Sequence, residues 1–452
     1  MVHIFNEYGK KEIREKILLG GIIRAGYAVS RRDLVEKVER MKSIQKHVKK
    51  GEILLGCTDL DFEEPVTLKY DPKERIVVIV SGQAGSGKTV LAQSLFEQMI
   101  DKFGLYGAAV DPKGDCARMH EPLKEEKLVE RLRKFGIQPK GFKVKIIHPE
   151  FMKIFGCSGY PFSIGMKNIN TLSDKGHIEQ VMDALLDVGI SGSPAAREVL
   201  KEVIYSPRKL PDKVVDLDGD CFYRRVMQAS FDRAEDLGRG KRRVSLMLPR
   251  LVKQAYIQMR LSDVNNINFP YELVNNDILV LRSTLRKEKT ADSAYIATFI
   301  DSISSDRLKF LEHDPDSLVD KPIVFLVDEA DVVVGREKSP SQECIEYVAT
   351  KDRRIGNNLL LVTQNPQRLN KNVIAQAQYF ITSKIFSDDQ KKALRERGVS
   401  GARIEEIYQN LSFSVENPVK EFNILTPDAG ENSRNFFPIP SMSSIIHQSE
   451  LL

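Results

Sequence analysis

The chain has 452 residues, of which 42% are hydrophobic, and its 68 Lys and Arg against 63 Asp and Glu give a formal net charge of +5. This length suggests two or three domains with a sizeable core. No run approaches the roughly 18 apolar residues of a membrane helix, no apolar signal segment stands at the N-terminus, and the 5 cysteines form no CxxC pair, so we expect a cytoplasmic protein without membrane insertion, disulfide framework or zinc site.

The first 50 residues are strongly basic, with 13 Lys and Arg against 6 Asp and Glu. Apolar residues at helical spacing predict two helices here, and Ser30 followed by Asp33 is close to a capping box at the start of the second. Because Arg31 and Arg32 stand at that start, the two helices could form a helix-turn-helix that reads DNA. An oligomerisation or partner-docking surface, or simply solvated helix faces, would give the same pattern.

Continuous apolar runs alternate with helical stretches from residue 76 onward. The runs are RIVVIVSG, LYGAAVDPKGD, KVKIIHP, NDILVLRS, KPIVFLVDEAD and NLLLVTQN. Apolar strands separated by helices are typical of an α/β fold whose mainly parallel sheet is covered on both faces. Short strands are predicted over 52–70, and the charged, Arg-rich region 165–270 is predicted to be a helical subdomain inserted between strands.

Residues 82–89 match the pattern G-x-x-x-x-G-K-[ST] at each required position. An apolar strand precedes them and a helical stretch follows, as a phosphate-binding loop requires, although a simple strand–helix turn is the alternative. Small residues let backbone N–H groups turn around a phosphate, and the helix N-terminus adds positive charge. Lys88 is predicted to reach the β- and γ-phosphates, and the Thr89 hydroxyl to bind Mg²⁺. The predicted nucleotide contacts are Gly82, Gln83, Ala84, Gly85, Ser86, Gly87, Lys88, Thr89 and Val90.

The apolar strand at 322–327 ends in two carboxylates, Asp328 and Glu329. In a chain that has a phosphate loop, Asp328 is predicted to hold Mg²⁺ through a water, and Glu329 to polarise the attacking water. The second carboxylate directly after the first favours hydrolysis over simple binding. Capping of the following turn is the alternative role for both acids.

Three further features lie beside predicted strands. The run NLLLVTQN ends in Thr363 and Gln364, and Gln364 is predicted to sense the γ-phosphate, with turn capping as the alternative. Arg353, on a helical stretch leading into that strand, could act as an arginine finger on a neighbouring subunit or lie at a solvated helix end. The segment DPKGD at 111–115 has the composition of an ordinary turn.

Together these motifs resemble those of the HerA–FtsK superfamily of ring-forming, DNA-pumping ATPases. The residues that carry the resemblance are SGQAGSGKT at 81–89, AAVDPKGD at 108–115, IVFLVDEAD at 323–331 and DRRIGNNLLLVTQNPQRL at 352–369. The runs KIIHPEF at 145–151 and NDILVLRST at 276–284 look like the family's intermediate strands.

The resemblance implies a RecA-like P-loop NTPase core in a hexameric ring, with sites between subunits and duplex DNA threaded through the centre. Matched residue by residue, Lys88 and Thr89 are similar to the family's Walker A lysine and hydroxyl, and Asp328 and Glu329 to its Walker B pair. Gln364 matches the sensor glutamine and Arg353 the trans-acting arginine. Asp115 falls where relatives carry an acidic residue after a strand.

The expected function is therefore that of a DNA translocase or helicase-type ATPase, with ATP and Mg²⁺ as ligands and a nuclease or other DNA-processing protein as a further partner. The basic segment RGKRR supplies candidate DNA contacts, which are Arg239, Lys241, Arg242 and Arg243. Two alternatives stay open: a nucleotide-gated DNA-binding scaffold with little turnover, and a P-loop enzyme, such as a kinase or metabolic ATPase, that does not act on DNA.

The predicted division of the chain follows from these motifs. It comprises a basic helical region at 1–50, the first part of the ATPase core with the phosphate loop at 51–164, the helical insertion at 165–270, the second part of the core at 271–426 and a C-terminal tail at 427–452.

Overall fold

The computed structural model describes residues 51–58, 64–148, 153–154, 157–161, 268–282, 289–335, 339–351, 354–383, 388–396, 399–402, 404–405, 421–425 and 434–444. The predicted basic region at 1–50, nearly all of the predicted insertion at 165–270, Arg353 and the RGKRR segment lie outside these residues, and the predictions made for them stay predictions.

The described strands form a single sheet. In chain order they are β1 (Glu52–Cys57), β2 (Pro65–Lys69), β3 (Val77–Ser81), β4 (Tyr106–Val110), β5 (Val144–His148), β6 (Lys153–Ile154), β7 (Cys157–Pro161), β8 (Ile278–Leu281), β9 (Ile323–Val327), β10 (Asn358–Thr363), β11 (Tyr379–Thr382), β12 (Phe422–Leu425) and β13 (Arg434–Pro438). Across the sheet their order is β2-β1-β13-β12-β11-β3-β10-β9-β4-β8-β5-β7-β6.

The central part of the sheet, from β11 to β7, is parallel throughout. Antiparallel strands extend it on both sides, with β12, β13, β1 and β2 beyond β11 and the short β6 beyond β7. The prediction of a mainly parallel sheet is therefore confirmed, as is the prediction of short strands over 52–70.

Helices connect the parallel strands. They are α1 (Lys88–Phe103), α2 (Glu126–Lys134), α3 (Phe269–Val274), α4 (Lys289–Leu311), α5 (Ala330–Val333), α6 (Pro340–Thr350), α7 (Lys371–Gln376) and α8 (Asp388–Glu396), with 3₁₀ turns at Asp115–Arg118 and Pro366–Arg368. Among the residues that the structure describes, none of these helices combines the length and the apolar character needed to cross a bilayer.

Alternate residues of the central strands pack into two separate cores. On β3, Val77 and Ile79 face one core with Phe299 of α4 and Ile345 of α6. Val78 and Val80 face the opposite core, which includes the buried side chains of α1. Since successive strand residues point to opposite faces, a strand covered on both sides must be apolar throughout. This explains the continuous apolar runs in the sequence.

The segment 427–452, predicted to be a C-terminal tail, contributes β13 to the interior of the sheet. β13 pairs with β12 on one side and β1 on the other, and Phe436 is fully buried. After β13 the chain continues along α1, where Ser441 and Ser443 are buried. Residues 434–444, here called the C-terminal segment, are therefore part of the packed core.

Candidate functional site

The candidate site lies where the parallel strands end. Thr363 of β10 pairs with Ser81 of β3, and Val327 of β9 pairs with Val110 of β4. The next residues continue this alignment, because Gly82 N–H donates to Thr363 O at 3.2 Å and Asp328 N–H donates to Val110 O at 3.0 Å. Residues that follow β3, β10, β9 and β4 are thus brought to one edge, which is where ligands bind in open parallel sheets.

The loop between β3 and α1 has the conformation that its glycines predict. Gly85 and Gly87 have φ of 74° and 83°, in the left-handed region that favours glycine. At Gly82 the constraint is space, because a Cβ there would lie 2.4 Å from the Ser86 and Ser383 hydroxyl oxygens. Gln83, Ala84 and Gly85 are exposed, which is compatible with phosphate binding through main-chain amides of this loop.

Lys88 is the first residue of α1, and only 5% of its surface is exposed. Its Nζ donates to Gln83 O at 3.4 Å, so the ammonium folds back over the loop. Burial, and then the nearby Lys113, lower the pKa of Lys88, while the acids that follow β9 oppose this shift. The neighbouring Thr89 and Val90 are partly exposed.

Asp328 follows β9 and is 3% exposed. Its Oδ1 accepts the Glu329 N–H at 2.9 Å, whereas its buried Oδ2 has no hydrogen-bond partner. Burial raises the pKa of Asp328 to about 6, with a further contribution from Asp111. Burial, together with Asp111 and Asp328, also raises the pKa of Asp115 to about 7. Asp328 after β9 therefore lies near Asp111 and Asp115 after the neighbouring β4, and the negative charges of these buried acids raise one another's pKa.

An orphaned carboxylate oxygen is suited to a hard divalent cation such as Mg²⁺, which prefers oxygen ligands and keeps several waters. Within the described ranges, no group of three or more His, Cys, Asp or Glu could hold a metal by itself. A cation at Asp328 would therefore need other oxygens, for which the Thr89 hydroxyl and a bound phosphate are suited.

Glu329 has a left-handed backbone, with φ of 50°, which is uncommon for a residue other than glycine. Its Oε1 accepts a hydrogen bond from Gln364 Nε2 at 3.1 Å and forms an ion pair with Lys113 Nζ. Burial alone would raise the pKa of Glu329, but Lys113 and Gln364 outweigh it, and the pKa lies below its ordinary value.

The DPKGD segment forms a turn and also lines the site. Asp111 accepts hydrogen bonds from Gly114 N at 2.8 Å and Cys116 N at 2.7 Å, the local pattern of an aspartate-stabilised turn. Gly114 has φ of 86°, and the turn presents Lys113 to Glu329 and Asp115 to Asp328. The sequence analysis interpreted this segment as an ordinary turn, which agrees with its backbone, but it did not single out Lys113.

Asp331 is a second residue that sequence reasoning did not single out. It is 8% exposed and accepts hydrogen bonds from the Thr363 hydroxyl at 2.8 Å and from Asn365 Nδ2 at 3.3 Å. These contacts join the segment after β9 to the end of β10, so Gln364 is held between two fixed neighbours. The only signal in the sequence was an acid three residues after Asp328.

The structure thus brings Lys88, Thr89, Asp328, Glu329 and Gln364 to one edge of the sheet. Arg353 and the candidate DNA contacts Arg239, Lys241, Arg242 and Arg243 lie outside the described residues.

Neither a family model nor a curated protein matches this sequence. Solved structures do match. VirB4 of Thermoanaerobacter pseudethanolicus superimposes with a TM-score of 0.52 at 16% identity, covering 86% of this chain and 97% of that chain. The bacterial conjugative coupling protein TrwBΔN70 gives 0.53 at 13% identity, covering 90% and 93%. The genome packaging NTPase B204 from Sulfolobus turreted icosahedral virus 2, in complex with ATP-γS, gives a TM-score of only 0.36 at 10% identity, covering 82% of this chain and 99% of that chain.

At these identities the likeness establishes the fold, which is that of the RecA-like P-loop NTPases. The expected fold class is confirmed. The architecture that the sequence resemblance implies is likewise found, because VirB4 and the coupling protein match this chain over 97% and 93% of their own length.

Proposed function

We propose that this chain is an ATPase that hydrolyses ATP to ADP and phosphate and couples hydrolysis to the movement of duplex DNA. The observation that carries the proposal is the meeting of a phosphate loop, a buried lysine and an acid pair at one edge of a parallel sheet. Asp328 and Glu329 act to raise the pKa of Lys88 against the effect of its burial, so the ammonium lies within electrostatic range of both carboxylates.

ATP is held by the chain's own backbone and one ammonium. The amides of residues 83–87 turn around the β-phosphate, and the N-terminus of α1 contributes its dipole. Lys88 leaves its contact with Gln83 O and reaches the β- and γ-phosphates. Because the Lys88 Nζ already lies over the loop, little reorganisation is needed.

Asp328 and Thr89 are the residues that would hold Mg²⁺. The unpartnered Asp328 Oδ2 is the observation that fits this role, and the Thr89 hydroxyl stands at the start of α1. When bound, Mg²⁺ neutralises charge that develops on the phosphate oxygens.

Glu329 orients a water for in-line attack on the γ-phosphorus. The water oxygen bonds to that phosphorus, the bond to the bridging oxygen of ADP breaks, and the proton of the water moves towards the Glu329 carboxylate. Gln364, whose Nε2 donates to Glu329 Oε1, is our candidate for the residue that senses loss of the phosphate at the end of β10. Arg353 of a neighbouring subunit is our candidate for the trans-acting cation.

The DNA part of the proposal is supported by the fold of VirB4 and of a conjugative coupling protein, and by the basic segments of the sequence. We propose that six copies form a ring around duplex DNA, that the basic 1–50 region and the RGKRR segment contact its phosphates, and that a nuclease or other DNA-processing protein acts alongside. Each phosphate contact releases counterions, so DNA affinity should fall steeply with salt.

The decisive experiment measures steady-state ATP hydrolysis with and without duplex DNA, in the wild type and in Glu329→Gln. We expect DNA to accelerate the wild type. The variant should lose at least about 100-fold in kcat, the range of a general base, and still bind ATP. Glu343→Gln, on the exposed face of α6, is the matched control and should behave as wild type.

The possible outcomes separate the candidate functions. Hydrolysis that ignores DNA would favour a P-loop enzyme without a DNA substrate. ATP-dependent DNA binding with negligible turnover would favour a nucleotide-gated scaffold. Electron microscopy with ATP and duplex DNA tests the ring, and isolated monomers on DNA would contradict it.

A further inference from the structure

Lys113 makes the closest contact to Glu329. Its Nζ forms an ion pair with Glu329 Oε1, and the two side chains are 25% and 15% exposed. Gln364 Nε2 donates to the same oxygen at 3.1 Å. One oxygen of the proposed water-orienting carboxylate therefore already accepts two donors, of which one carries a full charge.

The backbone on both sides of this contact is fixed. Asp111 accepts the N–H groups of Gly114 and Cys116, which locks the turn that carries Lys113. A Cβ on Gly114 would lie only 3.1 Å from the Arg282 guanidinium, so the turn is also packed tightly from outside. On the other side, the Glu329 N–H donates to Asp328 Oδ1 at 2.9 Å. The contact thus joins two anchored segments through one flexible lysine side chain.

A carboxylate in this arrangement is poorly suited to activate water. Lys113 and Gln364 both donate to Oε1, which is one of the two carboxylate oxygens that could accept a hydrogen bond from water. Asp115 and Asp328 also attract Lys113 electrostatically. Lys113 therefore has other anionic partners nearby and can leave Glu329 without becoming an isolated cation.

We propose that the Lys113–Glu329 ion pair, here called the latch, keeps Glu329 from orienting the attacking water until the ATPase is stimulated. The inference rests on the proposed function and names its regulation: slow hydrolysis without DNA reflects the Lys113–Glu329 ion pair, and stimulation requires its release. Lys113 is a positioning residue that acts through Glu329.

The first test compares steady-state hydrolysis by the wild type, Lys113→Met and Lys113→Arg. Lys113→Met should raise the DNA-free kcat about tenfold, equivalent to about 1.4 kcal/mol, with KM for ATP and the DNA-stimulated rate little changed. Lys113→Arg keeps the ion pair and should keep the slow DNA-free rate. Lys145→Met is the control, because Lys145 pairs with Glu272 at 3.4 Å, at 21% and 24% exposure, away from the site.

The second test needs no catalysis. A double-mutant cycle of Lys113→Met and Glu329→Gln on the thermal midpoint of the nucleotide-free protein should show non-additive shifts, since each substitution removes the same ion pair. Lys113→Gln, which keeps a polar side chain of similar length, replaces Lys113→Met in both tests if the latter does not fold.

The latch is wrong if Lys113→Met slows DNA-free hydrolysis or leaves it unchanged while the wild type is active. It is also wrong if the two substitutions are additive in the nucleotide-free protein. Absence of hydrolysis in the wild type and in Lys113→Met alike, with or without DNA, would sink the proposed function together with the latch. The two failures are therefore distinguishable.

Discussion

Glu97 of α1 is fully buried and forms hydrogen bonds with the C-terminal segment. Its carboxylate accepts hydrogen bonds from Met442 N, from Ser443 N at 3.3 Å, from the Ser443 hydroxyl and from Gln93 Nε2 at 2.9 Å. Even with these donors, burial dominates and raises the pKa of Glu97 from 4.5 to about 7. We predict that Glu97→Gln changes how the free energy of unfolding depends on pH.

The size and sign of this pH dependence follow from the difference between the pKa of Glu97 in the folded protein and in the unfolded chain. Because the pKa of Glu97 is higher in the folded protein than in the unfolded chain, its protonated form favours folding. That contribution is complete below pH 4.5 and is lost as pH rises through about 7. At 1.36 kcal/mol per unit the total is about 3 kcal/mol, of which about 2 kcal/mol is lost between about pH 5.5 and about pH 8.5. Gln cannot ionise, so the variant avoids this loss.

The assay is urea unfolding followed by far-UV circular dichroism, since the chain has no Trp to report tertiary structure. At the lower pH the wild type should be the more stable protein, because a Gln amide cannot match all four donors. Its advantage should shrink by about 2 kcal/mol at the higher pH. Gln98→Ala is the control: Gln98 is 1% exposed on the same helix, its Nε2 donates to Leu54 O at 2.8 Å, and it does not titrate.

A stability difference between wild type and Glu97→Gln that stays constant over this pH range would refute the reasoning. It would mean that the N–H groups of Met442 and Ser443 keep the carboxylate ionised in spite of burial. A difference that grows with pH would reverse the sign of the predicted shift.

Three further predictions concern the site and its supports. Gly82→Ala places a methyl group 2.4 Å from two hydroxyl oxygens, and we expect affinity for a fluorescent ATP analogue to fall at least about tenfold, or about 1.4 kcal/mol; unchanged affinity would contradict the tight packing. Asn358→Ala removes a buried amide whose Nδ2 lies within hydrogen-bond distance of three oxygens and whose Oδ1 accepts one backbone N–H, and it should cost about 2–4 kcal/mol in urea unfolding. Gly356→Ala puts a side chain at φ of 79°, and a loss of about 1–2 kcal/mol in the same assay is expected; a stabilised variant would show that the turn relaxes.

Much of the architecture was predictable because strands of a parallel sheet covered on both faces are continuous apolar runs in the sequence. The apolar runs at β3, β9 and β10 are buried along their whole length. The runs expected as intermediate strands became β5 and β8. The conformation of the loop between β3 and α1 was also predictable, because the positive φ of Gly85 and Gly87 favours glycine.

Side-chain pairing across the sheet was less accessible. Nothing local distinguishes Lys113 from a solvated lysine, since its contact with Glu329 depends on β4 and β9 being neighbours. Glu97 resembles an exposed helix residue until the C-terminal segment covers it. Both cases depend on contacts between segments distant in sequence, which residue patterns along one segment do not encode.

The position of β13 has a consequence for how the protein is made. Among the described strands, the hairpin of β1 and β2 joins the rest of the sheet only through β13, although β1 begins at Glu52 and β13 at Arg434. A nascent chain therefore holds an unpaired strand edge until nearly all of its core has left the ribosome. During that interval β1 and β12 are open to wrong partners, so premature termination or a stalled ribosome would leave these strand edges exposed.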